Sequence, residues 1–465
     1  MHEDYRRRYT KIILAIADIS LVFAGFFLAN WILNQFSIPN TEYEIDYSRL
    51  IVLSASSISV LYLFDLYADW RRKSIQHLVY SIVLSMIVFL GFELIVSKWT
   101  PYLSFQQSFI LTAFLIQTIL LNCSRVGIWC INKKLFGKKK VYIIGEDSHT
   151  GLYLAGKILN HHKGWFEIVG FIPLAKKGYI HECVKKCDLF LLSPTLSRGD
   201  AEEIARLCIK YGKELLVVPQ LFELSFLGAN TQQIDDMLVV SIKPPLLKVT
   251  QKISKRVFDV VVSSIVLFIA APILLILFIL IPLTSKGPAL YKQERIGLNG
   301  KPYWIYKFRS MIQDAEKRTG PVLATDKDPR ITLIGGIIRA VRLDELPQLL
   351  NVLKGEMSLV GPRPEREYFI NQFKQTLPDY PYRLTMKPGI TGLAQILANY
   401  TTPVEDKLRF DLLYIRNYSF TLDLKILFQT IRVVLQQKQA QGVKEDNIRN
   451  QQLLKKLEQN KVMNH

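Results

Sequence analysis

The stretch VFDVVVSSIVLFIAAPILLILFILIPL, residues 257–283, decides how this chain is built. It exceeds the roughly 20 apolar residues that a membrane-spanning helix needs. Its flanks argue against a simple crossing. Lys252, Lys255 and Arg256 precede it, and Lys286, Lys292, Arg295, Lys301, Lys307 and Arg309 follow. Basic residues favour the cytoplasmic side, so a crossing would break that rule at one end. Pro272 sits near the middle, where it removes a backbone N–H and clashes with the carbonyl of Phe268. A helix that enters the membrane, bends at Ala271-Pro272 and returns to the same face satisfies both constraints. An ordinary kinked span is the alternative.

Four further apolar stretches lie upstream, at about 12–33, 50–67, 78–96 and 109–131. Arg6, Arg7, Arg8 and Lys11 precede the first, and Glu42, Glu44 and Asp46 follow it. Arg71, Arg72 and Lys73 follow the second, Lys98 the third, and Lys133, Lys134, Lys138, Lys139 and Lys140 the fourth. This alternation predicts four spans with both ends in the cytoplasm. Asp18, Asp65 and Glu93 fall in or beside the spans. Such residues either pair near span ends or mark a pathway. Hydrophobic residues make up 49% of the 465-residue chain, more than a purely soluble protein carries. The formal charge of +19 suits anionic headgroups and phosphorylated substrates. Because much of it flanks apolar segments, membrane lipid is the expected partner and nucleic acid is not. The five scattered cysteines complete no zinc site and fit a reducing compartment. No cleavable signal peptide is read at the N-terminus.

From Lys140 the pattern changes to alternating strands and helices, with strands expected at 141–145, 167–172, 189–193 and 214–218 and a helix at 199–211. Gly145 and Gly151 bracket the first strand-to-helix turn. In a Gly-x-Gly-x-x-Gly fingerprint, Asp147 would hold the second glycine position and Thr150 the third. The unit is Rossmann-like but degenerate, and its default role is structural or regulatory.

The chemistry-bearing residues follow the 257–283 stretch. The adjacent carboxylates Asp344 and Glu345 lie in Arg339-Ala340-Val341-Arg342-Leu343-Asp344-Glu345-Leu346-Pro347-Gln348-Leu349. A carboxylate can attack phosphorus while its neighbour holds a divalent metal. Alone, such a pair reads as a surface salt-bridge cluster. Lys307 and Arg309 alternate on an expected strand, Arg330 lies in Asp328-Pro329-Arg330-Ile331-Thr332, and Arg363 stands between Pro362 and Pro364. Arginine suits bidentate phosphate contacts. Gly361, Gly389 and Gly392 read as turn-shaping residues.

Further motifs complete the set: Lys255-Arg256-Val257-Phe258-Asp259, Gln293-Glu294-Arg295-Ile296-Gly297, Ser358-Leu359-Val360-Gly361-Pro362-Arg363-Pro364, Lys387-Pro388-Gly389-Ile390-Thr391-Gly392 and Asp411-Leu412-Leu413-Tyr414-Ile415. This ordered series resembles the bacterial sugar transferases, the polyprenyl-phosphate glycosyl-1-phosphate transferases, in their long form.

The resemblance implies membrane α plus α/β architecture. It comprises a four-helix transmembrane domain at 1–135, a Rossmann-like cytoplasmic domain at 136–245 and a monotopic catalytic domain at 246–435. That domain holds the re-entrant helix 257–283, and a polar tail follows at 436–465. It implies a homodimer in the bacterial inner membrane, with the catalytic domain on the cytoplasmic face. The implied substrates are a UDP-sugar and a polyprenyl phosphate. Asp344 would attack the sugar-linked phosphate, UMP would leave, and the lipid phosphate would then accept the phosphosugar. Glu345 would bind magnesium, with Asp411 as a second metal ligand. Lys307, Arg309, Arg330 and Arg363 would bind phosphates. The family commonly breaks its membrane helix at Ser-Pro, whereas Ala271 precedes Pro272 here, so the bend rests on the proline and the flanking charges. A glycosyltransferase releasing UDP and a non-catalytic assembly scaffold are the rival readings. A nucleotide-sugar dehydratase would need an intact glycine fingerprint. Residues 447–459 are expected to form a short amphipathic helix.

Overall fold

The computed structural model describes residues 2–36, 47–68, 74–100, 105–161, 165–175, 180–227, 229–242, 244, 246–313, 328–399 and 402–436. The helix expected at 447–459 and the charged residues of 41–46 and 69–73 lie outside them. The chain divides between Val218 and Pro219 into two compact units. The expected middle-domain boundary was 245, so the hairpin upstream of it belongs to the second unit.

The first unit opens with helices α1 (His2–Phe36), α2 (Tyr47–Leu63), α3 (Ile75–Trp99) and α4 (Gln107–Phe136). Ser74 starts α3 by accepting the His77 N–H at 3.2 Å. Three of these helices are long and apolar enough to cross a membrane, while α2 is shorter, at 17 residues. It gives way to a turn in which Asp65 takes φ +62°. Val22, Phe26, Ile82, Phe89 and Ala113 pack inside the bundle, while Ile13, Trp31, Ile95 and Leu115 face outward. An apolar exterior is what lipid solvates. Asp18 is buried and paired, accepting from Arg125 at 2.5 Å and from the Tyr67 hydroxyl at 2.8 Å. Glu93 is buried with no hydrogen-bond partner for either oxygen among the described residues.

An all-parallel sheet follows: β1 (Lys139–Gly145), α5 (Ser148–His161), β2 (Phe166–Pro173), α6 (Ile180–Cys183), β3 (Leu189–Leu192), α7 (Arg198–Lys210) and β4 (Glu214–Val217). These strands and α7 lie within two residues of the expected positions. The order β2-β1-β3-β4 is the start of the flavodoxin-type doubly wound sheet, not the 3-2-1-4 order of dinucleotide-binding domains. Asp147 fills the start of α5, accepting the Thr150 N–H at 2.6 Å. The Phe171 ring lies where side chains at Gly145 and Gly151 would extend. A pyrophosphate would need that helix terminus, which this carboxylate already satisfies.

The second unit begins with the hairpin β5 (Asn230–Ile234) and β6 (Met237–Ser241), then α8 (Val249–Thr284). At 36 residues α8 is about 54 Å long. It is helical on both sides of Pro272 and Pro282. Its two ends pack on the same unit. At the start, Lys255 pairs with Asp423 at 2.5 Å, Asp259 accepts the Leu359 N–H at 3.0 Å, and Arg256 donates to the carbonyls of Val352 and Leu353. At the finish, Leu277 and Ile281 join Ala289, Phe308 and Ile338 in one apolar cluster. Between them Phe268, Ile269, Leu275 and Ile276 are exposed.

The chain continues through β7 (Leu290–Ile296), β8 (Pro302–Phe308), α9 (Leu333–Ala340), a 3-10 turn at Leu343–Gln348, α10 (Leu349–Lys354) and β9 (Ser358–Val360). It ends in α11 (Glu367–Thr376), a 3-10 turn at Tyr380–Thr385, β10 (Gly389–Thr391), α12 (Leu393–Leu397), α13 (Val404–Arg416) and α14 (Phe420–Gln436). β7 and β8 pair antiparallel, and β9 and β10 pair parallel. Gly361 follows β9, Gly389 opens β10 and Gly392 follows it. A Cβ on any of them would lie 2.1–2.3 Å from a backbone atom of the neighbouring segment. They permit main chain to pack on main chain, fixing the loop that carries Arg363.

Candidate active site

Helix α9 ends at Ala340, and Arg342 then takes the left-handed conformation at φ +61°. A non-glycine residue there carries strain, which turns the chain sharply into the 3-10 turn. Asp344 and Glu345 occupy the first turn, facing the end of β8. Glu345 is buried and surrounded by cations: Lys307 Nζ at 3.0 Å, Arg363 Nη2 at 3.1 Å and Arg342 Nη1 at 3.6 Å. Burial opposes its ionisation, but the combined pull of Lys307, Arg363 and Arg342 outweighs that and holds the carboxyl below its usual range. Burial lowers the Lys307 ammonium despite Glu345.

Asp344 differs. Its Oδ1 is buried without a hydrogen bond among the described residues. Burial, then repulsion from Glu345, pushes its carboxyl up to about 6 against the pull of Lys307, Arg339 and Arg342. Two adjacent acids thus have separated affinities for protons, the arrangement that lets neighbours take different roles. Glu345 anchors the cations, while Asp344 keeps an oxygen free to meet phosphorus or a metal.

The structure brings Lys307, Glu345 and Arg363 together and adds Arg342, which sequence reasoning quoted without assigning. Arg309 makes different contacts. It donates to the carbonyls of Ile281, Ser285 and Lys286, closing the C-terminal end of α8. Gly287, at φ +119°, leaves space for the guanidinium that a side chain would fill. Arg330 grips Asp328 through Nε and Nη2 at 2.6–3.1 Å, holding that carboxyl down to about 2. Both arginines expected at the phosphates therefore have structural partners. Asp411, expected at a metal, receives Arg383 Nε at 3.0 Å and Nη2 at 2.7 Å. A divalent cation would compete there with a guanidinium. Glu345 faces the same competition from Lys307, Arg363 and Arg342, and magnesium would need few carboxylates there because phosphate oxygens and water fill the rest of its shell. Arg383 was missed because nothing local marks it; only Asp411's need for a partner could have pointed to it.

The bacterial sugar transferase family model matches residues 250–437, which contain every one of these residues. A UDP-glucose:undecaprenyl-phosphate glucose-1-phosphate transferase of Caulobacter vibrioides is 40% identical over 45% of this chain and 78% of its own length. The chain belongs to the bacterial sugar transferase family. An Escherichia coli sugar transferase of that same name is 28% identical over 90% of this chain and 94% of its own. The UDP-N-acetylgalactosamine-undecaprenyl-phosphate N-acetylgalactosaminephosphotransferase of Aeromonas hydrophila is 44% identical over 39% of this chain. That match spans less than half of the relative's length, at 43%.

Proposed function

We propose that this sugar transferase moves a sugar 1-phosphate from a UDP-sugar to undecaprenyl phosphate and releases UMP. The observation that carries the reading is the free, buried oxygen of Asp344 beside a carboxylate ringed by Lys307, Arg342 and Arg363. Asp344 attacks the sugar-linked phosphate. The O–P bond to UMP breaks as an acyl phosphate forms, so one encounter between anions becomes two steps. The phosphate of the lipid then attacks the same phosphorus and restores the carboxylate. Arg363 and Lys307 balance charge on the transferred group. Glu345 would hold magnesium, as the family resemblance implies, and the ion would supply further charge neutralisation beside the transferred phosphate.

The unit acts at one membrane face. In support, both ends of α8 pack on a single folded unit, whereas a straight crossing would carry its far end to the opposite face. These contacts support the re-entrant reading, with its bend at Pro272. Helix α9 supports a site at headgroup depth: Ile338 packs against α8, while Leu333 and Ile337 are exposed. The basic flanks of the membrane segments support a site on the cytoplasmic face of the inner membrane. Relatives named for glucose and N-acetylgalactosamine leave the sugar open.

The test is to incubate the full-length protein in native-lipid particles with magnesium, undecaprenyl phosphate and a panel of UDP-sugars, and to identify the nucleotide. UMP with one sugar is expected. UDP would move the protein to the glycosyltransferase class, and no nucleotide product from any sugar would withdraw the reading.

A further inference from the structure

We infer that Arg383 and Asp411 are a positioning pair for the phosphate site, acting through the main chain of Arg363. This rests on the function proposed above, in which Arg363 meets the transferred phosphate. The chain of contacts is continuous. Asp411, on α13, is 3% exposed and accepts both Nε and Nη2 of Arg383 through one oxygen. Arg383, in the turn Tyr380–Thr385, is 6% exposed and also meets the Tyr380 hydroxyl at 2.5 Å. Its Nη2 donates to the Arg363 carbonyl at 2.9 Å. Arg363 in turn donates through its own Nη2 to Glu345 at 3.1 Å.

The chemistry suits each member. Pro362 and Pro364 fix φ on either side of Arg363 and offer no N–H to hold the loop. Donors from outside supply the restraint: the Gly389 and Ile296 N–H groups hold the carbonyls of Pro362 and Glu365, and Arg383 holds the carbonyl of Arg363 itself. A guanidinium is planar and can bind a carboxylate and a carbonyl at once, which an ammonium cannot do with the same geometry. Asp411 fixes the plane of that guanidinium. Among the described residues neither is hydrogen-bonded to Asp344 or Glu345: Arg383 meets Asp411 Oδ2, the Tyr380 hydroxyl and the Arg363 carbonyl. Asp411 therefore orients the site from behind and does not hold the metal.

The experiment uses full-length protein in native-lipid particles, with UMP release measured against magnesium and UDP-sugar concentration. Arg383→Gln and Asp411→Asn are each expected to lower kcat by about 10- to 100-fold, with the half-activating magnesium concentration changed less than about twofold. In an Arg363→Gln background, Arg383→Gln is expected to cost less than about threefold, since the residue it positions is gone. Arg383→Lys is expected to recover only part of the loss. Should a single variant fail to fold, Arg383→Met/Asp411→Leu removes the pair without stranding a buried charge and is expected to show the same loss. A tenfold rise in the magnesium requirement of Asp411→Asn would overturn the inference, and so would losses that multiply in the Arg363→Gln background. Full activity of the apolar double variant would overturn it as well. Absence of UMP from the wild-type protein would instead remove the functional reading beneath it.

Discussion

At the scale of single residues, the site works by treating neighbouring carboxyls differently. Asp344 must be ionised to attack, and its carboxyl sits at about 6. The expected profile of kcat/KM therefore falls on the acid side with a midpoint near pH 6, measured under conditions where substrate ionisation is controlled. Stability runs the other way. A buried carboxyl with a raised affinity for its proton favours the folded state while protonated, so the wild-type protein loses stability as pH rises from 3.8 toward about 6. Asp344→Asn removes that loss. Its melting temperature should exceed the wild type above pH 6, and the difference should close below pH 4. Arg309 makes the opposite case: it closes α8 and touches neither carboxylate by hydrogen bond. Arg309→Gln should destabilise the fold by about 2–3 kcal/mol through unsatisfied buried carbonyls. The folded fraction should keep a KM for UDP-sugar within about twofold of wild type, and a rise beyond tenfold would return Arg309 to the phosphates.

At the scale of elements, the membrane helix is held at both ends by side chains that close helices. Arg256 closes α10 from within α8, and Arg309 closes α8 from beyond β8. Cations at helix C-termini satisfy the last carbonyls and complement the dipole. Because both anchors belong to one unit, a cysteine at Ala271 in a chain stripped of its native cysteines should stay unreactive toward an impermeant periplasmic thiol reagent. Rapid labelling would show a crossing instead. Elements were the most legible level in the sequence. The strands of the parallel sheet followed from short apolar runs, and the apolar stretches marked the long helices. Strand order was not legible, because local pattern carries no information about which strands pair. The left-handed turn at Arg342 was equally hidden, since arginine has no preference for it. Residue types suggested phosphate contacts at Lys307, Arg309, Arg330 and Arg363 alike. Only packing separates Lys307 and Arg363, beside Glu345, from the two whose donors go to α8 and Asp328.

At the scale of the whole molecule, the division between Val218 and Pro219 separates a membrane bundle with a parallel sheet from the unit that carries the site. The family match at 250–437 lies wholly in the second unit. A chain beginning at Pro219 is therefore expected to retain UMP release within about tenfold of the full-length protein per folded molecule. Loss beyond about a thousandfold, with the fragment folded, would assign the first unit a part in the reaction. The sequence reads the glycine fingerprint as degenerate. In its place the first unit has the cap at Asp147, the Phe171 ring beside Gly145 and Gly151, and the strand order β2-β1-β3-β4.

The central claim is that Asp344 is the nucleophile. The most direct measurement is a single-turnover reaction of the full-length protein with its UDP-sugar and magnesium, with undecaprenyl phosphate withheld. One UMP released per active site, with a phosphosugar found by mass spectrometry on the peptide containing Asp344 and absent from Asp344→Asn, is the predicted result. Release of UDP, or UMP production that survives Asp344→Asn, would contradict it.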